Sequence, residues 1–267
     1  MTVAATLDES LEPLRADPGR AAILLDVDGT LAPIVRHAVD AHVPEATRGL
    51  LIAVAKRYGT VACVSGRRAA TARQMVSIGS IAYVGNHGCE LLAPGATKPE
   101  VDPEVAAWTD RVRAFAERSW STELQLLRVR PEDKGAIAAL HWRGAPDEEA
   151  ALEAVRRVDE QAHAAGFATH WGRKVLEIRP PVPIDKGRGV TWLLSGSDAD
   201  TALYVGDDLT DVDAFRGLRA LADEGSLTTV IRVGVRSDET PPELEGEVDV
   251  FVEGPTGVRD LLQALLG

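Results

Sequence analysis

Short apolar runs alternate with amphipathic segments along most of the chain. The runs AAILLDV, TVACVS and SIAYVG predict buried parallel strands. The segments between them, PEATRGLLIAVAKRYG and RRAATARQMVSIG, have the apolar spacing of helices, and the first opens with Pro44 and closes with Gly59. Because strands that alternate with helices form right-handed crossovers, the pattern predicts an α/β fold with a doubly wound parallel sheet.

The pattern changes in the middle of the chain. PEVAAWTDRVRAFAERSW predicts a helix, and ELQLLRVRPEDKGAIAALHWRG predicts two strands folded across a polar turn at Pro131 to Gly135. A long charged helix and a second hairpin around Gly172 follow. This order predicts a small α+β domain with an antiparallel sheet at residues 99–182, inserted into a core formed by residues 1–98 and 183–267.

The alternation resumes after the insertion with KGRGVTWLLSG, ALYVGDD, LTTVIRVGV and VDVFV, and it ends in the helix TGVRDLLQALLG. At the other end of the chain, residues 1–20 predict a short helix that carries Leu7, Leu11 and Leu14. Both parts therefore belong to the predicted core.

Charge and composition exclude several classes of partner. The chain has 29 Lys plus Arg against 41 Asp plus Glu, a formal charge of −12, and it has no basic block that could follow a phosphate backbone. No apolar run approaches the roughly 18 residues that span a bilayer, and the first residues do not resemble a secretory leader. We expect a cytoplasmic, monomeric protein with reduced Cys63 and Cys89, and with neither nucleic acid nor membrane as a partner.

Four polar clusters follow predicted strands. They are Asp26 and Asp28, then Ser65-Gly66-Arg67, then GNHG at 85–88, and finally Gly206-Asp207-Asp208. In an open α/β sheet, ligands bind beyond the carboxyl ends of the strands, so these clusters are expected to share one rim.

The residue types at this rim suit phosphoryl transfer. Several carboxylates in one place repel one another unless a cation holds them, and oxygen ligands of this kind suit Mg²⁺. A carboxylate can attack phosphorus, and a second acid can protonate the leaving oxygen and later activate water. Lys186, the Ser65 hydroxyl and main-chain N–H groups would neutralise the phosphoryl oxygens, and Gly29 and Gly66 would let the backbone approach them.

The segments DVDGTLAP, VSGRR, DKGRGV and GDDLTD, taken in order, resemble the four motifs of the haloacid dehalogenase superfamily of phosphatases. They lie on either side of the insertion, where that superfamily can carry an α/β cap. The resemblance therefore implies a Rossmann-like core of this superfamily with an inserted cap domain.

GNHGCE, PEDKGAIAALHWR, GRKVLEIRP and GDDLTDVDAF further resemble the trehalose-6-phosphate phosphatase family. That resemblance runs from about residue 21 to 216. It implies a Mg²⁺-dependent hydrolase of trehalose biosynthesis, which converts trehalose 6-phosphate to trehalose and phosphate through an aspartyl phosphate.

The same resemblance implies a role for each matching residue. Asp26 would be the nucleophile and Asp28 the general acid/base, while Ser65, Gly66 and Lys186 would bind the phosphoryl group. The implied metal site comprises Asp26, Asp28, Asp207, Asp208 and Asp211. The implied substrate contacts are Arg67, His87, Glu132, Arg143, Arg173, Lys174 and Glu177.

Two positions depart from the family pattern. Arg173 stands where the family usually has Lys directly after the glycine, although Lys174 follows it, and Arg and Lys differ in reach and donor geometry. Val212 stands where the fourth motif usually has Glu. The first departure concerns a contact to the sugar. The second concerns a contact to the substrate or to the edge of the active site, and it need not affect catalysis.

Each residue also has an interpretation that involves no catalysis. Asp-Gly and Ser-Gly are common turn dipeptides, and Lys186 could face solvent from the first turn of a helix. His87 could bond only to backbone, and Glu132 and Arg143 could be solvated strand residues. Trp142 and Trp171 could stack on a sugar, although packing within a small sheet is the default.

Other functions fit part of the pattern. A sucrose-phosphate phosphatase or a phosphomannomutase would share the core chemistry and differ in the sugar or in the fate of the phosphoryl group. A non-catalytic sensor of trehalose 6-phosphate would need no acid/base pair, so the complete set of motifs argues against it.

Overall fold

The computed structural model describes residues 7–35, 41–238 and 240–267. The chain divides into two compact units. The core unit comprises Met1–Glu100 and Ile184–Gly267, and the smaller unit comprises Val101–Pro183.

An eight-stranded sheet underlies the core unit, and its order along the sheet is β12-β11-β10-β1-β2-β3-β4-β5. The pairs from β12 to β3 are parallel, whereas β4 is antiparallel to β3. The strands are β1 (Ala21–Asp26), β2 (Thr60–Val64), β3 (Ala82–Gly85), β4 (Glu90–Leu92), β5 (Glu100–Val101), β10 (Thr201–Gly206), β11 (Thr229–Arg236) and β12 (Val250–Glu253). The predicted doubly wound α/β sheet is confirmed.

Helices cover both faces of this sheet. They are α1 (Leu7–Ala16), α2 (Glu45–Arg57), α3 (Ala69–Val76), α8 (Lys186–Ser195), α9 (Leu209–Asp223) and α10 (Gly254–Ala264). The predicted N-terminal helix is present as α1, with Leu11 and Leu14 buried, and residues 1–6 of that prediction lie outside the described residues. Across the described ranges, no helix is long and apolar enough to cross a bilayer.

The side chains of β1 alternate between two apolar clusters. Ile23 and Leu25 belong to the cluster that includes residues of α1, α2 and α10, whereas Ala22 and Leu24 belong to the cluster that includes residues of α8 and α9. Because successive side chains of a strand point to opposite faces, Asp26 is on the same face as Leu24. The last residue of β1 thus projects toward the α8 and α9 side of the sheet.

The smaller unit is built on an antiparallel sheet of four strands, in the order β6-β7-β9-β8. The strands are β6 (Arg130–Asp133), β7 (Ala138–His141), β8 (Ala168–Gly172) and β9 (Val175–Arg179). Its helices are α4 (Pro103–Ala106), α5 (Thr109–Ser119), α6 (Thr122–Leu126) and α7 (Glu148–Ala164), and a separate apolar cluster lies within the unit.

The first predicted hairpin of this unit is wrong in its first strand. The segment expected as strand from Glu123 begins as helix α6, because the Ser121 hydroxyl caps the helix by accepting a hydrogen bond from the Leu124 N–H. The strand starts only at Arg130, and Pro131 lies within it instead of in the turn. Proline is tolerated there because β6 is an edge strand.

Candidate active site

Asp26 and Lys186 form a buried ion pair in the core unit. Asp26 ends β1, and Lys186 is the first residue of α8, whose N-cap is Asp185. The Lys186 Nζ donates to Asp26 Oδ1 at 2.7 Å, and the two residues are 2% and 4% exposed. The interpretation of Lys186 as a solvent-facing residue is therefore excluded.

Asp211 holds Lys186 from the other side. Its Oδ1 accepts hydrogen bonds from the Lys186 Nζ at 2.7 Å and from the Tyr204 hydroxyl at 2.6 Å. Its Oδ2 accepts the main-chain N–H groups of Asp207 and Asp208, at 2.9 and 3.0 Å. The carboxylate of Asp211 thus ties α8, β10 and the loop after β10 to one point.

Asp207 reaches the same place from the end of β10. Its Oδ1 accepts the Thr30 hydroxyl at 3.2 Å, and its Oδ2 lies against Gly29, where a Cβ atom would come within 2.0 Å of it. Ligand oxygens of Asp26, Asp207 and Asp211 all lie within 4.8 Å of one another. The structure therefore brings the Asp26 carboxylate of the first motif together with two carboxylates of the fourth motif.

Burial perturbs the ionisation of this cluster. Burial is the largest cause that raises the pKa of Asp26, and nearby Asp211 adds to the shift while Lys186 opposes it. Burial also raises the pKa of Asp207 to about 7. Burial would lower the pKa of Lys186, but Asp211 and Asp26 outweigh that effect and raise it well above its usual value. Lys186 consequently stays charged among the carboxylates.

The donor set fits a divalent cation. Three buried carboxylates against one ammonium carry an excess of negative charge, which burial makes costly. All the side-chain ligands are carboxylate oxygens, the type that Mg²⁺ prefers. Because Asp211 already accepts from four donors, Asp26 and Asp207 are the side chains best suited to hold the ion.

Asp28 is engaged differently from Asp26. The guanidinium of Arg67 donates to both of its carboxylate oxygens, from Nε and from one terminal nitrogen, each at 2.7 Å. Asp28 is 41% exposed in its side chain, in contrast to the buried Asp26. Arg67, expected as a substrate contact, thus lies beside the second aspartate of the first motif.

The loop after β2 is held by the loop after β3. Ser65 is 1% exposed, and its Oγ accepts the Arg67 N–H at 3.1 Å. The His87 N–H donates to the Ser65 carbonyl at 3.2 Å, and the His87 ring lies so close to Gly66 that a Cβ atom there would come within 2.6 Å of it. His87 therefore packs on the loop that carries Ser65, in a left-handed backbone conformation with φ of 58°.

Asp208 is the most exposed aspartate of the fourth motif. It is the N-cap of α9, with its Oδ1 accepting the Thr210 N–H, and it lies 3.9 Å from the Lys186 Nζ. Burial would raise the pKa of Asp208, but Lys186 and the Thr210 hydrogen bonds prevail and lower it. Its geometry is that of a helix cap beside the buried cluster.

Two of the expected sugar contacts share one face of the sheet in the smaller unit. Glu132 and Glu177 both pair in register with Ala139, so they lie in one row across β6, β7 and β9. Glu177 is buried, and it accepts from Lys134 at 2.7 Å and from Arg179. Glu132 bonds to His141 at 2.8 Å, and this hydrogen bond is the main cause that lowers the pKa of Glu132.

The other three expected sugar contacts lie near the β8–β9 turn. Arg143 donates to the Arg173 carbonyl at 3.2 Å. Lys174 has a left-handed backbone, with φ of 61°, and its ammonium pairs with Glu148 at the start of α7. Arg143, Arg173 and Lys174 thus form a basic group distinct from the Glu132 and Glu177 row.

Several residues that shape these sites were not predicted from the sequence. Tyr204 is hidden in the apolar run before GDD, and Thr30 reads as part of a turn. Glu90 is buried and accepts the Ala69 N–H, which fixes the start of α3 behind the Ser65 loop. A charged residue inside the apolar stretch CELL was the available signal for Glu90.

Val212 and Trp142 are both buried side chains that pack against other apolar residues. Val212 is 4% exposed and belongs to the apolar cluster beneath α9. Trp142 is 6% exposed and meets Trp171 edge to face, with ring centres 5.7 Å apart. The departure at position 212 therefore places an apolar side chain in the core, and Trp142 packs within the smaller unit.

Comparisons with known proteins identify the family of this chain. A model of the trehalose-phosphatase family matches residues 24–243. The trehalose-phosphate phosphatase of Mycobacterium tuberculosis (strain ATCC 25618 / H37Rv) is 37% identical over 204 residues, which are 73% of this chain and 50% of that protein. An uncharacterized glycosyl hydrolase of the same strain is 34% identical over 209 residues, 75% of this chain and 15% of that protein. This chain therefore spans at most about half the length of these relatives.

Solved structures share the fold. The C-terminal domain of a trehalose-6-phosphate phosphatase from C. albicans aligns with a TM-score of 0.74 at 21% identity, over 98% of each chain. A haloacid dehalogenase-like hydrolase from Bacteroides thetaiotaomicron aligns with a TM-score of 0.61 at 13% identity, over 91% of this chain and 98% of that one. The expected haloacid dehalogenase-type fold is confirmed, and the extent of the sequence match shows that the chain belongs to the trehalose-phosphatase family.

Proposed function

We propose that this protein is a Mg²⁺-dependent phosphatase that hydrolyses trehalose 6-phosphate to trehalose and phosphate through a phosphoryl group carried on Asp26. The observation that carries the proposal is the buried Asp26 carboxylate at the end of β1, bonded to Lys186 and within 4.8 Å of ligand oxygens of Asp207 and Asp211. Membership of the trehalose-phosphatase family supports the choice of substrate.

In the first step, a carboxylate oxygen of Asp26 attacks phosphorus, and the bond between phosphorus and the sugar oxygen breaks. Asp28 in its acid form gives its proton to that departing oxygen, which leaves as the trehalose hydroxyl. Lys186, the Ser65 hydroxyl and the main chain at Gly66 neutralise the remaining phosphoryl oxygens.

In the second step, water attacks the phosphorus on Asp26, and the Asp26 carboxylate is released together with inorganic phosphate. Asp28 takes the proton from that water and so regains its acid form. The fork from Arg67 donates two hydrogen bonds to the carboxylate form of Asp28, the form that this second step needs.

Asp26 and Asp207, supported by Asp208 and Asp211, would hold Mg²⁺, and the bound ion would supply positive charge to the phosphoryl oxygens. Asp211 acts through hydrogen bonds to Lys186 and to the loop after β10. Thr30 and Gly29 fix the position of Asp207.

We further propose that the smaller unit, residues 101–183, recognises the sugar. The carboxylates of Glu132 and Glu177 can accept hydrogen bonds from sugar hydroxyls. The two residues lie in one row across the sheet, on β6 and β9, with β7 between them. Arg143, Arg173 and Lys174 supply donors. Binding energy from these remote contacts would help to assemble the reacting groups.

The test is phosphate release with Mg²⁺ from trehalose 6-phosphate, sucrose 6-phosphate, glucose 6-phosphate and mannose phosphates, with Asp26→Asn as the blank. We expect a preference for trehalose 6-phosphate of at least about a hundredfold in kcat/KM, equivalent to about 2.7 kcal/mol. Equal, slow hydrolysis of all substrates would refute the sugar assignment. Transfer of phosphate back to product would indicate a mutase, and binding without turnover would indicate a sensor.

A further inference from the structure

Tyr204 carries a buried hydroxyl that is connected to Asp26 by three successive hydrogen bonds. It lies on β10, is 0% exposed, and donates to Asp211 Oδ1 at 2.6 Å. The same oxygen accepts from the Lys186 Nζ, which in turn donates to Asp26. A continuous chain of hydrogen bonds therefore runs from Tyr204 to Asp26.

The surroundings leave the Asp211 carboxylate little freedom to turn. A Cβ atom at Gly206 would come within 2.2 Å of the Asp211 Cγ, so the strand backbone lies close against this carboxylate. Its Oδ2 is occupied by two main-chain N–H groups. The Tyr204 hydroxyl and Lys186 share Oδ1, and the direction of Oδ1 sets where the ammonium lies.

The tyrosine is fixed as a donor. Its ring packs edge to face on Phe215, with ring centres 5.4 Å apart. Burial, followed by the charge of Asp211, raises the pKa of Tyr204 well above its usual value. The hydroxyl donates to Asp211 because its partner is a carboxylate oxygen, which accepts hydrogen bonds.

We infer that Tyr204 is a positioning residue for the phosphoryl transfer, acting through Asp211 to hold Lys186 against Asp26. This inference rests on the proposed function for its kinetic consequence, but the contact itself can be tested without turnover. The hydrogen bonds from Tyr204 reach Asp26 through Asp211 and Lys186, so the effect of Tyr204 passes through Lys186.

The chain offers a matched control for the loss of a buried tyrosine hydroxyl. Tyr83 on β3 is also 0% exposed, and its hydroxyl donates to the main-chain carbonyl of Ile78. Tyr204→Phe and Tyr83→Phe each remove one buried hydrogen bond and keep the ring. A general loss of stability would affect both variants, whereas a change at Lys186 is expected only in the first.

Two readouts are measured on the full chain. The first is kcat and KM with trehalose 6-phosphate and with p-nitrophenyl phosphate. The second is the solvent exchange of the Lys186 ammonium protons, followed by NMR on ¹⁵N-lysine-labelled protein and assigned by the signal that Lys186→Met lacks. For Tyr204→Phe we expect at least a tenfold fall in kcat, a KM within threefold of wild type, and at least tenfold faster exchange.

Tyr83→Phe should leave both readouts within twofold of wild type. The inference is overturned if the two variants behave alike, or if kcat falls in Tyr204→Phe while the Lys186 exchange is unchanged. Wild-type protein that hydrolyses neither ester would refute the proposed function, and the exchange measurement would then still decide the role of Tyr204.

Discussion

Gly29 is the position where one added methyl group should disable the site. It has a φ of 87°, and a Cβ atom there would lie 2.0 Å from Asp207 Oδ2 and 2.5 Å from Asp207 Cγ. Real Cβ contacts are essentially never shorter than 3.0 Å, so Gly29→Ala must displace the carboxylate of Asp207 by about 1 Å or shift the loop by as much. A misplacement of about 1 Å can cost on the order of a hundredfold in rate.

The control for Gly29→Ala is Gly95→Ala. Gly95 also has a positive φ, of 74°, but a Cβ atom there meets nothing within 4 Å. Both variants carry the backbone strain, which is about 1–2 kcal/mol for a residue with a side chain. Only the first variant carries the collision with Asp207, so the difference between them isolates the displaced carboxylate.

The assays are kcat/KM for phosphate release, the affinity for Mn²⁺ by electron paramagnetic resonance, and urea unfolding. Gly29→Ala should lose about a hundredfold in kcat/KM and bind Mn²⁺ more weakly, while Gly95→Ala should lose only stability. Gly29→Ala with activity and Mn²⁺ affinity within threefold of Gly95→Ala would refute the placement of Asp207 against Gly29.

Three further predictions concern other contacts of the core unit. Arg67→Met should lower kcat about tenfold because it releases Asp28. Arg67→Lys should restore only part of the lost rate, because lysine cannot form the paired hydrogen bonds that the guanidinium makes to both carboxylate oxygens. Equal steady-state rates for wild type and both variants would contradict this prediction. Glu90→Ala leaves the buried Ala69 N–H without its acceptor, so it should lower the free energy of unfolding, measured in urea, by about 1–3 kcal/mol. The control is Glu160→Ala, which removes an exposed glutamate and should change the free energy of unfolding little. Burial raises the pKa of Asp207 to about 7. Between about pH 4 and pH 7, the ion-free folded protein therefore keeps a proton on Asp207 that the unfolded chain has lost. Through this group, the free energy of unfolding falls as the pH rises from about 4 to 7. Urea unfolding in EDTA at several pH values should show a shallower fall in Asp207→Asn, and an identical slope would contradict the assignment.

The sequence was most informative about the backbone positions of the site. Asp26, Ser65 and Asp207 all follow apolar runs, and the parallel order of β1, β2 and β10 makes those strands end on one edge. Only the strand order is needed to bring such residues together. The convergence of these motifs could thus be predicted before any side chain was placed.

The sequence does not determine which side chains are partners in the site. The fork between Arg67 and Asp28 depends on where two flexible side chains point, and motif spacing does not determine that. Tyr204 looks like any apolar strand residue until Asp211 is known to lie beside its hydroxyl. Val212 is a different case. It departs from the fourth motif in sequence, and in the structure its side chain is buried in the core.

Local capping explains the element that was predicted wrongly. ELQLL has enough alternation to resemble a strand, but Ser121 supplies a cap two residues before Glu123, and the Leu124 N–H uses it. The helix α6 results, and the strand begins later at Arg130. A short apolar segment next to a capping residue is therefore ambiguous from its periodicity alone.

The most direct test of the proposed function is whether Asp26 carries the phosphoryl group during turnover. Trehalose 6-[³²P]phosphate is mixed with excess enzyme and Mg²⁺, the reaction is quenched with acid within one turnover, and the labelled peptide is identified after proteolysis. If Asp26 is the nucleophile, acid-stable, hydroxylamine-sensitive label appears on the peptide that contains Asp26, and none appears in Asp26→Asn. Label on another residue, or rapid phosphate release by Asp26→Asn, would contradict it.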